Sequence, residues 1–273
     1  MTLVDTHVHL YGVYQLGRAF DRAVLNFGFW KKRLGLPRGI PSLLMLAEAE
    51  GDDVFLRLQS GGLVEDDLGP WSVRRTGDPI SLSLVRDDGG QLTIVAGRQL
   101  NTTEGVEVLA LACVEHVRER RSLVDTIAWT LGHEGIPVLP WGFGKWLGRR
   151  GRLVRQIIES EWSAKIALGD TSYRPLAPSP PRNFRMAASH GIPILAGTDP
   201  LPYAGEQGKI GRYGLVLREE IDPGHLGCSA RAYFGSLRGA VERYGQREPL
   251  LPNLWLQAHM QLRKRRNCPT PEP

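Results

Sequence analysis

The sequence has few cysteines and no long hydrophobic run. Its three cysteines, Cys113, Cys228 and Cys268, are widely spaced and odd in number. This argues against a disulfide framework or a thiolate metal site and favours a reducing compartment. No apolar run approaches the roughly 18 residues of a membrane-spanning helix. The first predicted strand begins at residue 2 or 3, which leaves no room for a targeting segment, so we expect a cytoplasmic protein without membrane partners.

Lysine is also scarce, and the formal charge of +5 rests mainly on arginine. Basic clusters occur at 31–33, 118–121 and 263–266, but aromatic residues do not interleave with them. We interpret them as solvated helix faces and expect no nucleic-acid partner. The 273 residues are 42% hydrophobic, enough for one large core. We predict a single domain over 1–262 and a disordered, basic and proline-rich tail over 263–273.

The segment Leu3–Leu10 alternates apolar and polar residues, which predicts a strand with His7 and His9 on one side. The two residues lie about 6 to 7 Å apart along a strand, so their imidazoles can converge on one metal ion. Neutral imidazole is a good ligand for zinc and similar divalent ions. The alternative is one buried, hydrogen-bonded histidine and one that faces a loop.

A second motif lies near residue 200. The apolar run Ile192–Ala196 predicts a buried strand, and Asp199 follows at its C-terminal tip within Gly-Thr-Asp-Pro. Together, Asp-Thr-His-Val-His-Leu and this late aspartate resemble the metallo-dependent hydrolases, meaning the amidohydrolase superfamily and the PHP-type phosphoesterases. The resemblance implies a parallel α/β barrel with one or more metal ions at the strand C-terminal ends, and it implies that His7, His9 and Asp199 are metal-site residues.

The chain length also suits a single α/β barrel. We therefore predict a single TIM-like (β/α) barrel, with a seven-stranded or distorted barrel as alternatives. The segments 80–85 and 91–96 flank Asp87-Asp88-Gly89-Gly90, a strong hairpin signal. Because an antiparallel hairpin does not belong in a simple barrel repeat, we expect it to be an insertion.

Two positions depart from the PHP-type pattern. Gln99 stands where that pattern has a Gly-x-Glu ligand, and Pro140-Trp141 occupies a region where it has a histidine. An amide oxygen is a neutral and weaker ligand for a divalent ion, which argues against a full multinuclear cluster. We expect Gln99 and Trp141 to contact the substrate instead.

The loop 141–146 alternates glycines with larger side chains, so its backbone can approach a ligand closely. Lys145 in this loop is a candidate catalytic cation for an anionic substrate. It could also be carboxylated and bridge metals, as in some amidohydrolases. The alternative is an exposed basic helix start with Arg149 and Arg150.

Other polar residues follow predicted strands. Glu48 ends a short strand at 41–48, as a catalytic group or as an exposed glutamate at a helix N-terminus. Asp170 and Arg174 flank a turn, either as a substrate-binding strand tip or as a local Asx-turn with arginine pairing. The glycine-rich loop 200–214 is long enough to be functional, and it offers Tyr203 as a substrate contact. His133 and His190 precede strands, so we assign them to helix C-termini and exclude them from the site.

Two functions remain open. In the first, His7, His9 and Asp199 hold a divalent ion, zinc or alternatively manganese, whose bound water attacks an amide, ester or phosphoester of a small molecule. Asp199 accepts a proton or orients the nucleophile, and Lys145 or Arg174 neutralises oxyanion charge. In the second, a catalytically degenerate barrel binds a ligand or partner without turnover. Three ligands plus water satisfy a mononuclear catalytic zinc, which favours the enzyme. The oligomeric state is not predicted.

Overall fold

The computed structural model describes residues 1–63, 65–117, 120–176, 179–219, 221–222 and 224–247. The predicted tail over 263–273 lies outside the described residues, as does the end of the predicted domain over 1–262. The described strands form two sheets, and the chain passes from the first sheet to the second and back.

The first sheet has seven strands, namely β1 (Thr2–Val8), β2 (Ser42–Leu46), β3 (Trp71–Arg75), β4 (Ser81–Arg86), β5 (Gln91–Val95), β11 (Tyr213–Leu217) and β12 (Arg243–Gly245). Their spatial order is β12-β11-β1-β2-β5-β4-β3. Strand β1 pairs in parallel with β2 and antiparallel with β11. The predicted hairpin is confirmed, because β4 and β5 pair antiparallel across the turn. Its prediction as an insertion is wrong, because β5 also pairs with β2 and the hairpin is part of this sheet.

The second sheet has five strands, namely β6 (Gly97–Asn101), β7 (Glu107–Leu111), β8 (Ile136–Pro140), β9 (Ala167–Thr171) and β10 (Ile194–Gly197). Their order is β10-β9-β8-β7-β6. Strands β8, β9 and β10 are parallel, whereas β7 runs antiparallel to both of its neighbours. This sheet is therefore also mixed.

The predicted TIM-like barrel is wrong, and so are its seven-stranded and distorted alternatives. A TIM barrel needs eight parallel strands joined by helical crossovers. Here β3, β4 and β5 follow one another antiparallel, as do β6, β7 and β8, and β11 and β12 also run antiparallel. The described strands consequently form two mixed sheets rather than one closed ring. The hairpins between 71 and 111 are the physical reason, because they replace the crossovers that a parallel barrel requires.

Several contacts join the two sheets, and two of them bear on the site. The Thr6 hydroxyl donates to the Ala196 carbonyl at 2.9 Å, and the Asp199 amide donates to the His7 carbonyl at 2.8 Å. A second contact joins the end of β2 to β6, where Glu48 N donates to Gly97 O at 3.0 Å and Gln99 N to Glu48 O at 2.8 Å. Both contacts lie beside residues predicted for the site.

The helices cover the sheets. They are α1 (Leu16–Arg33), α2 (Val54–Ser60), α3 (Glu65–Leu68), α4 (Leu123–Gly132), α5 (Gly148–Ile158), α6 (Arg182–Ser189) and α7 (Leu226–Ser236), with short 3-10 helices at Glu161–Lys165 and Glu206–Lys209. Helix α1 buries Phe20 and Phe27 on the first sheet. Among the described residues, no helix has both the length and the hydropathy of a membrane span.

Polar side chains lie at the ends of α4 and α6. Ser122 caps α4 by accepting a hydrogen bond from Asp125 N at 3.2 Å. His133 and His190 lie at the C-termini of α4 and α6, where Nδ1 of each ring contacts a carbonyl of the preceding turn at 2.8 and 2.9 Å. These two histidines therefore have the predicted helix-terminal position.

Candidate metal centre

The ends of β1 and β10 bring together His7, His9 and Asp199, which we call the metal cluster. The two imidazole Nε2 atoms lie 3.1 Å apart. Oδ1 of Asp199 lies 3.5 Å from His7 Nε2 and 3.6 Å from His9 Nε2. The candidate ligand atoms all lie within 4.8 Å of one another. The three residues that the sequence predicts as metal ligands are thus adjacent in space.

Local backbone geometry explains how Asp199 reaches the histidines. Gly197 lies so close to β1 that a Cβ there would come within 2.4 Å of His7 N. Two residues later the chain turns back, because Asp199 has the left-handed φ of 53°. Aspartate is among the few non-glycine residues that adopt this region readily. The turn directs the Asp199 carboxylate over the end of β1.

The buried carboxylate of Asp5 holds the turn before Asp199 in place through hydrogen bonds. Its carboxylate accepts hydrogen bonds from the amides of His7, Thr198 and Gly211 at 3.3, 2.8 and 2.9 Å, and from the Thr198 hydroxyl. Burial raises the pKa of Asp5 to about 7, and these hydrogen bonds oppose the rise. Sequence analysis assigned no role to Asp5, although its place in Asp-Thr-His was the available signal. It ties β1 to the segments on either side of the Asp199 loop.

The protonation states of the three residues favour the binding of a metal ion. Burial and, to a smaller extent, the positive charge of Lys145 lower the pKa of His7 and of His9 to about 3. Both imidazoles are therefore neutral at pH 7, which is the form that binds metal. Burial also raises the pKa of Asp199 to about 6, against the opposing charge of Lys145. At pH 7 the cluster offers two neutral nitrogens and a carboxylate.

These donors fit a divalent transition-metal ion. Two imidazoles and one carboxylate are a common protein ligand set for catalytic zinc, with a further position left for water. The His9 ring stacks on Tyr11, with ring centroids 5.1 Å apart and an interplanar angle of 15°. Its Nδ1 is buried and has no hydrogen-bond partner among the described residues. Packing, rather than the usual outer hydrogen bond, therefore orients His9.

Gln99 and Lys145 also lie at the metal cluster. The Gln99 side chain raises the pKa of His7 against the larger effect of burial, as an acceptor for the protonated imidazole does. The Lys145 ammonium forms an ion pair with the Glu107 carboxylate. A Cβ at Gly142 would lie 2.3 Å from Lys145 Cδ, so the lysine folds back across that glycine. Lys145 is consequently part of the site surroundings, and its proposed carboxylation stays a prediction.

Glu107 is a site residue that sequence analysis missed. It begins β7, where it pairs with Asn101, two residues from Gln99 along β6. Its negative charge raises the pKa of His7, although burial lowers that pKa more strongly. At Asp199, the charge of Glu107 and burial both raise the pKa. The available signal was a carboxylate at the start of an otherwise apolar strand. The antiparallel β6–β7 hairpin, which a parallel barrel does not contain, brings it to the site.

Asp170 and Arg174 form a separate buried network. Arg174 donates to both Asp170 oxygens, at 2.6 and 2.8 Å, and Tyr213, Arg243 and Arg247 also contact this carboxylate. Burial alone would raise the pKa of Asp170, but the hydrogen bonds and charges of the arginines hold it below its usual range. The contacts agree with the arginine-pairing alternative rather than with an open strand tip.

The remaining predicted contacts have other surroundings. Trp141 packs against the hydrophobic cluster beneath α5 and α6, and its amide donates to Gly169 O at 2.8 Å. Tyr203 lies half-buried in the loop after β10. The Tyr14 hydroxyl donates to Leu201 O in that loop at 2.5 Å. Glu48, expected as a catalytic or an exposed residue, is buried and accepts a hydrogen bond from Phe55 N at 2.8 Å.

The fold and site define a mixed α/β protein with a candidate three-ligand metal centre. No protein-family model matches the chain, and no curated protein matches it. Among solved structures it is similar to the crystal structure of PsfC from Pseudomonas syringae PB-5123, with 14% identity and a TM-score of 0.54 over 98% of this chain and 99% of that one. At this identity the likeness concerns the fold alone.

Proposed function

We propose that this protein is a metal-dependent hydrolase that acts on an amide, ester or phosphoester bond of a small molecule. The observation that supports it best is the metal cluster, in which two buried neutral imidazoles and a carboxylate face one another within 4.8 Å. The motif resemblance to the metallo-dependent hydrolases supports the same proposal. A bound zinc or manganese ion would supply a nucleophile at neutral pH by lowering the pKa of water.

The protein residues around the cluster have matching roles. Asp199 holds one carboxylate oxygen toward the imidazoles, and Thr171 lowers the pKa of this carboxyl against the larger effect of burial. A carboxylate oriented in this way can accept a proton from the attacking water. The Lys145 ammonium, held by Glu107, places a positive charge where negative charge develops on the substrate oxygen. Stacking of Tyr11 on His9 limits the access of bulk water.

One observation favours the alternative of ligand binding without turnover. Gln99 contributes no negative charge, so the metal cluster has Asp199 as its one carboxylate within ligand distance among the described residues. A single carboxylate still suffices for a mononuclear catalytic site. We therefore retain the hydrolase as the proposed function.

The test is metal content compared between matched double variants. Purified protein is loaded with zinc or manganese, dialysed and analysed for elements. We expect near one equivalent of metal in the wild type and in His133→Ala/His190→Ala, and a loss of at least tenfold in His7→Ala/His9→Ala. The control removes two histidines at helix ends. Equal metal content in both variants would contradict the proposed centre.

Activity is the second part of the test. A panel of esters, amides, lactones and phosphoesters is assayed before and after chelation, and again after metal is restored. The proposal predicts a turnover that chelation abolishes and metal restores in the wild type and in His133→Ala/His190→Ala, but not in His7→Ala/His9→Ala. A protein that binds metal stoichiometrically but hydrolyses no member of the panel would support the binding alternative.

We also propose a reducing, cytoplasmic location. Cys113 and Cys228 are both free thiols, and Cys113 is buried. Burial raises the pKa of the Cys113 thiol, which lowers its reactivity. Fluorescence imaging of a tagged full-length chain in its native cell tests the location.

A further inference from the structure

We propose that the Tyr11 hydroxyl donates a hydrogen bond to the substrate oxygen on which negative charge develops during hydrolysis. The inference rests on the proposed function and adds a catalytic residue to it. Sequence analysis assigned no role to Tyr11, which follows His9 by two residues.

Tyr11 continues a row of rings that begins with the two candidate ligands. The ring centroids of His7 and His9 lie 5.0 Å apart, and those of His9 and Tyr11 lie 5.1 Å apart. Side chains at every second position of an extended chain point to the same side. Burial raises the pKa of Tyr11 most, and the negative charge of Asp199 raises it next, as expected for a hydroxyl near that carboxylate. The phenol therefore borders the metal cluster beside His9.

The phenol ring is held in place without help from its hydroxyl. One face stacks on His9 with an interplanar angle of 15°. The Tyr14 ring lies 5.6 Å away in an edge contact at 83°, and Tyr14 is itself buried. A donor on a ring that is held from two sides does not need to reorganise when charge develops near it.

The Tyr11 hydroxyl differs from four other hydroxyls near the cluster, which donate to oxygen atoms of the protein. These are Thr6, which donates to Ala196 O, Ser172, which donates to Thr198 O, Thr198, which donates to Asp5, and Tyr14, which donates to Leu201 O. Within the described part of the chain, the Tyr11 hydroxyl has no such acceptor and is not a fully buried atom. Since its side chain is half-buried, the hydroxyl can bind a group that enters from solvent.

The Lys145 ammonium does not make this donor redundant. It forms an ion pair with Glu107, so the opposite charges of the pair largely cancel at the distance of a substrate. The Tyr11 hydroxyl is neutral and has no opposing group to overcome. The two residues therefore act together, with Tyr11 as the directional donor.

Tyr11 acts in the step in which water adds to the scissile group. A bond forms between the water oxygen and the acyl carbon, the water proton passes to Asp199, and one electron pair of the carbonyl bond moves to the carbonyl oxygen. The Tyr11 hydroxyl donates to this oxygen and keeps its own proton. The pair then re-forms the carbonyl bond, and the leaving group departs with the proton from Asp199. Because the oxygen is most negative between these events, the hydrogen bond is strongest where it accelerates the reaction.

Phosphate binding to the zinc-loaded protein tests the inference without requiring turnover. Inorganic phosphate is the probe because its oxygens carry negative charge in the absence of any reaction. Tyr11→Phe keeps the ring contacts, so we expect it to take up zinc like the wild type. In isothermal titration calorimetry it should bind phosphate at least about tenfold more weakly, as expected for the loss of a hydrogen bond to a charged group. Tyr233→Phe, which removes a hydroxyl from α7, is the matched control and should bind phosphate like the wild type.

Turnover gives a second measurement on any substrate that the panel identifies. We expect Tyr11→Phe to lower kcat about 100-fold, the usual cost of removing one oxyanion donor, with little change in KM. Tyr233→Phe should leave both constants unchanged.

The outcomes separate this inference from the proposed function. Wild-type phosphate affinity in Tyr11→Phe would overturn the inference and leave the hydrolase proposal intact, as would a zinc-loaded wild type that binds no phosphate. Loss of zinc from Tyr11→Phe would mean that the phenol only supports His9, and this too would overturn the inference. A wild type that takes up no zinc would contradict the metal centre itself, and the inference would fail with it.

Discussion

Two aspartates of the second sheet have opposite surroundings. Asp170 lies in β9 beside Ala196 of β10, and Asp199 follows β10 by two residues. Asp170 is fully buried and contacts Arg174, Arg243, Arg247 and Tyr213. Asp199 faces two neutral imidazoles and keeps 19% of its side chain exposed.

The pKa directions express this difference. Burial raises the pKa of both carboxyls, but the arginines reverse the effect at Asp170, whereas the pKa of Asp199 rises to about 6. A carboxylate saturated with cationic donors cannot bind a further ion strongly, because its lone pairs are occupied. A carboxylate left beside neutral imidazoles gains most from a metal. Asp170 therefore stabilises the fold, whereas the surroundings of Asp199 agree with its proposed role as a metal ligand.

The largest predicted effect is on folding, at Asp170. Replacing Asp170 with alanine leaves Arg174 buried without its partner, and removal of one member of a buried pair costs about 3 to 5 kcal/mol. We expect Asp170→Ala to lower the free energy of unfolding by this amount in urea titrations. Asp222→Ala, at an exposed pair with His225, should change the free energy of unfolding far less. Equal stability of the two variants would remove the distinction drawn between the aspartates.

The second-largest predicted effect is at Gly197, where β10 approaches β1 closely and so places Asp199 beside the histidines. A Cβ at Gly197 would clash with the backbone of His7, so Gly197→Ala must separate β1 from β10. We expect a loss of about 3 kcal/mol, the upper end of ordinary overpacking, together with weaker metal binding. Gly28→Ala is the control, since it lies on α1 with no atom within 4 Å of the added Cβ. It should stabilise the protein by about 0.5 to 1 kcal/mol. Chemical denaturation and metal titration of both variants measure this, and wild-type metal affinity in Gly197→Ala would contradict it.

The sequence predicted the metal cluster better than it predicted the fold. Alternation along β1 places His7 and His9 on one side, and the Asp199 position follows from a strand end, so both are local signals. Strand pairing is not local, because the same strands can be joined in parallel or antiparallel order depending on the connections. The hairpins between 71 and 111 were only partly recognised, and the barrel prediction failed there.

The same distinction applies to single residues. Glu107, which the sequence did not indicate, reaches the site through the antiparallel pairing of β6 with β7. Lys145, which the sequence did indicate, reaches it by folding over Gly142. The sequence left Asp170 as a substrate-binding strand tip or an arginine partner, and its partners include Arg243 and Arg247, more than 70 residues away in the sequence. Burial and distant partners decide the role of a carboxylate, and neither is visible in a short motif.

Glu48 has fewer arginine partners than Asp170 and more than Asp199, so its effect on stability at different pH values tests the comparison of the two aspartates. It has one arginine partner, at 3.1 Å, and burial raises its pKa to about 7 from 4.5. A raised pKa means that the stabilisation is present below the unfolded-state value and is lost as the pH rises through about 7. We expect the wild type to lose about 3 kcal/mol more than Glu48→Gln between pH 4.5 and 8.

Urea unfolding at several pH values measures this difference. Contributions from other titrating groups are common to both proteins and cancel. Glu50→Gln removes an exposed carboxylate two residues away and should keep the wild-type dependence of the free energy of unfolding on pH. Glu48→Gln could also show the wild-type dependence of the free energy of unfolding on pH. One arginine would then be enough to make Glu48 behave like Asp170, and the ranking of the three carboxylates by their number of cationic donors would fail.

The smallest predicted effect on folding is at Asp199 itself. Asparagine tolerates the left-handed φ of 53°, so Asp199→Asn removes the charge without backbone strain. Since no arginine loses a partner, the stability of the metal-free variant should stay within about 1 kcal/mol of the wild type. Metal binding should fall sharply, because an anionic ligand is replaced by a neutral one. In thermal unfolding, zinc at 100 times its dissociation constant stabilises the wild type by about 2.7 kcal/mol. The variant should show little of this shift at the same zinc concentration, and a full shift would mean that the imidazoles bind the ion without Asp199.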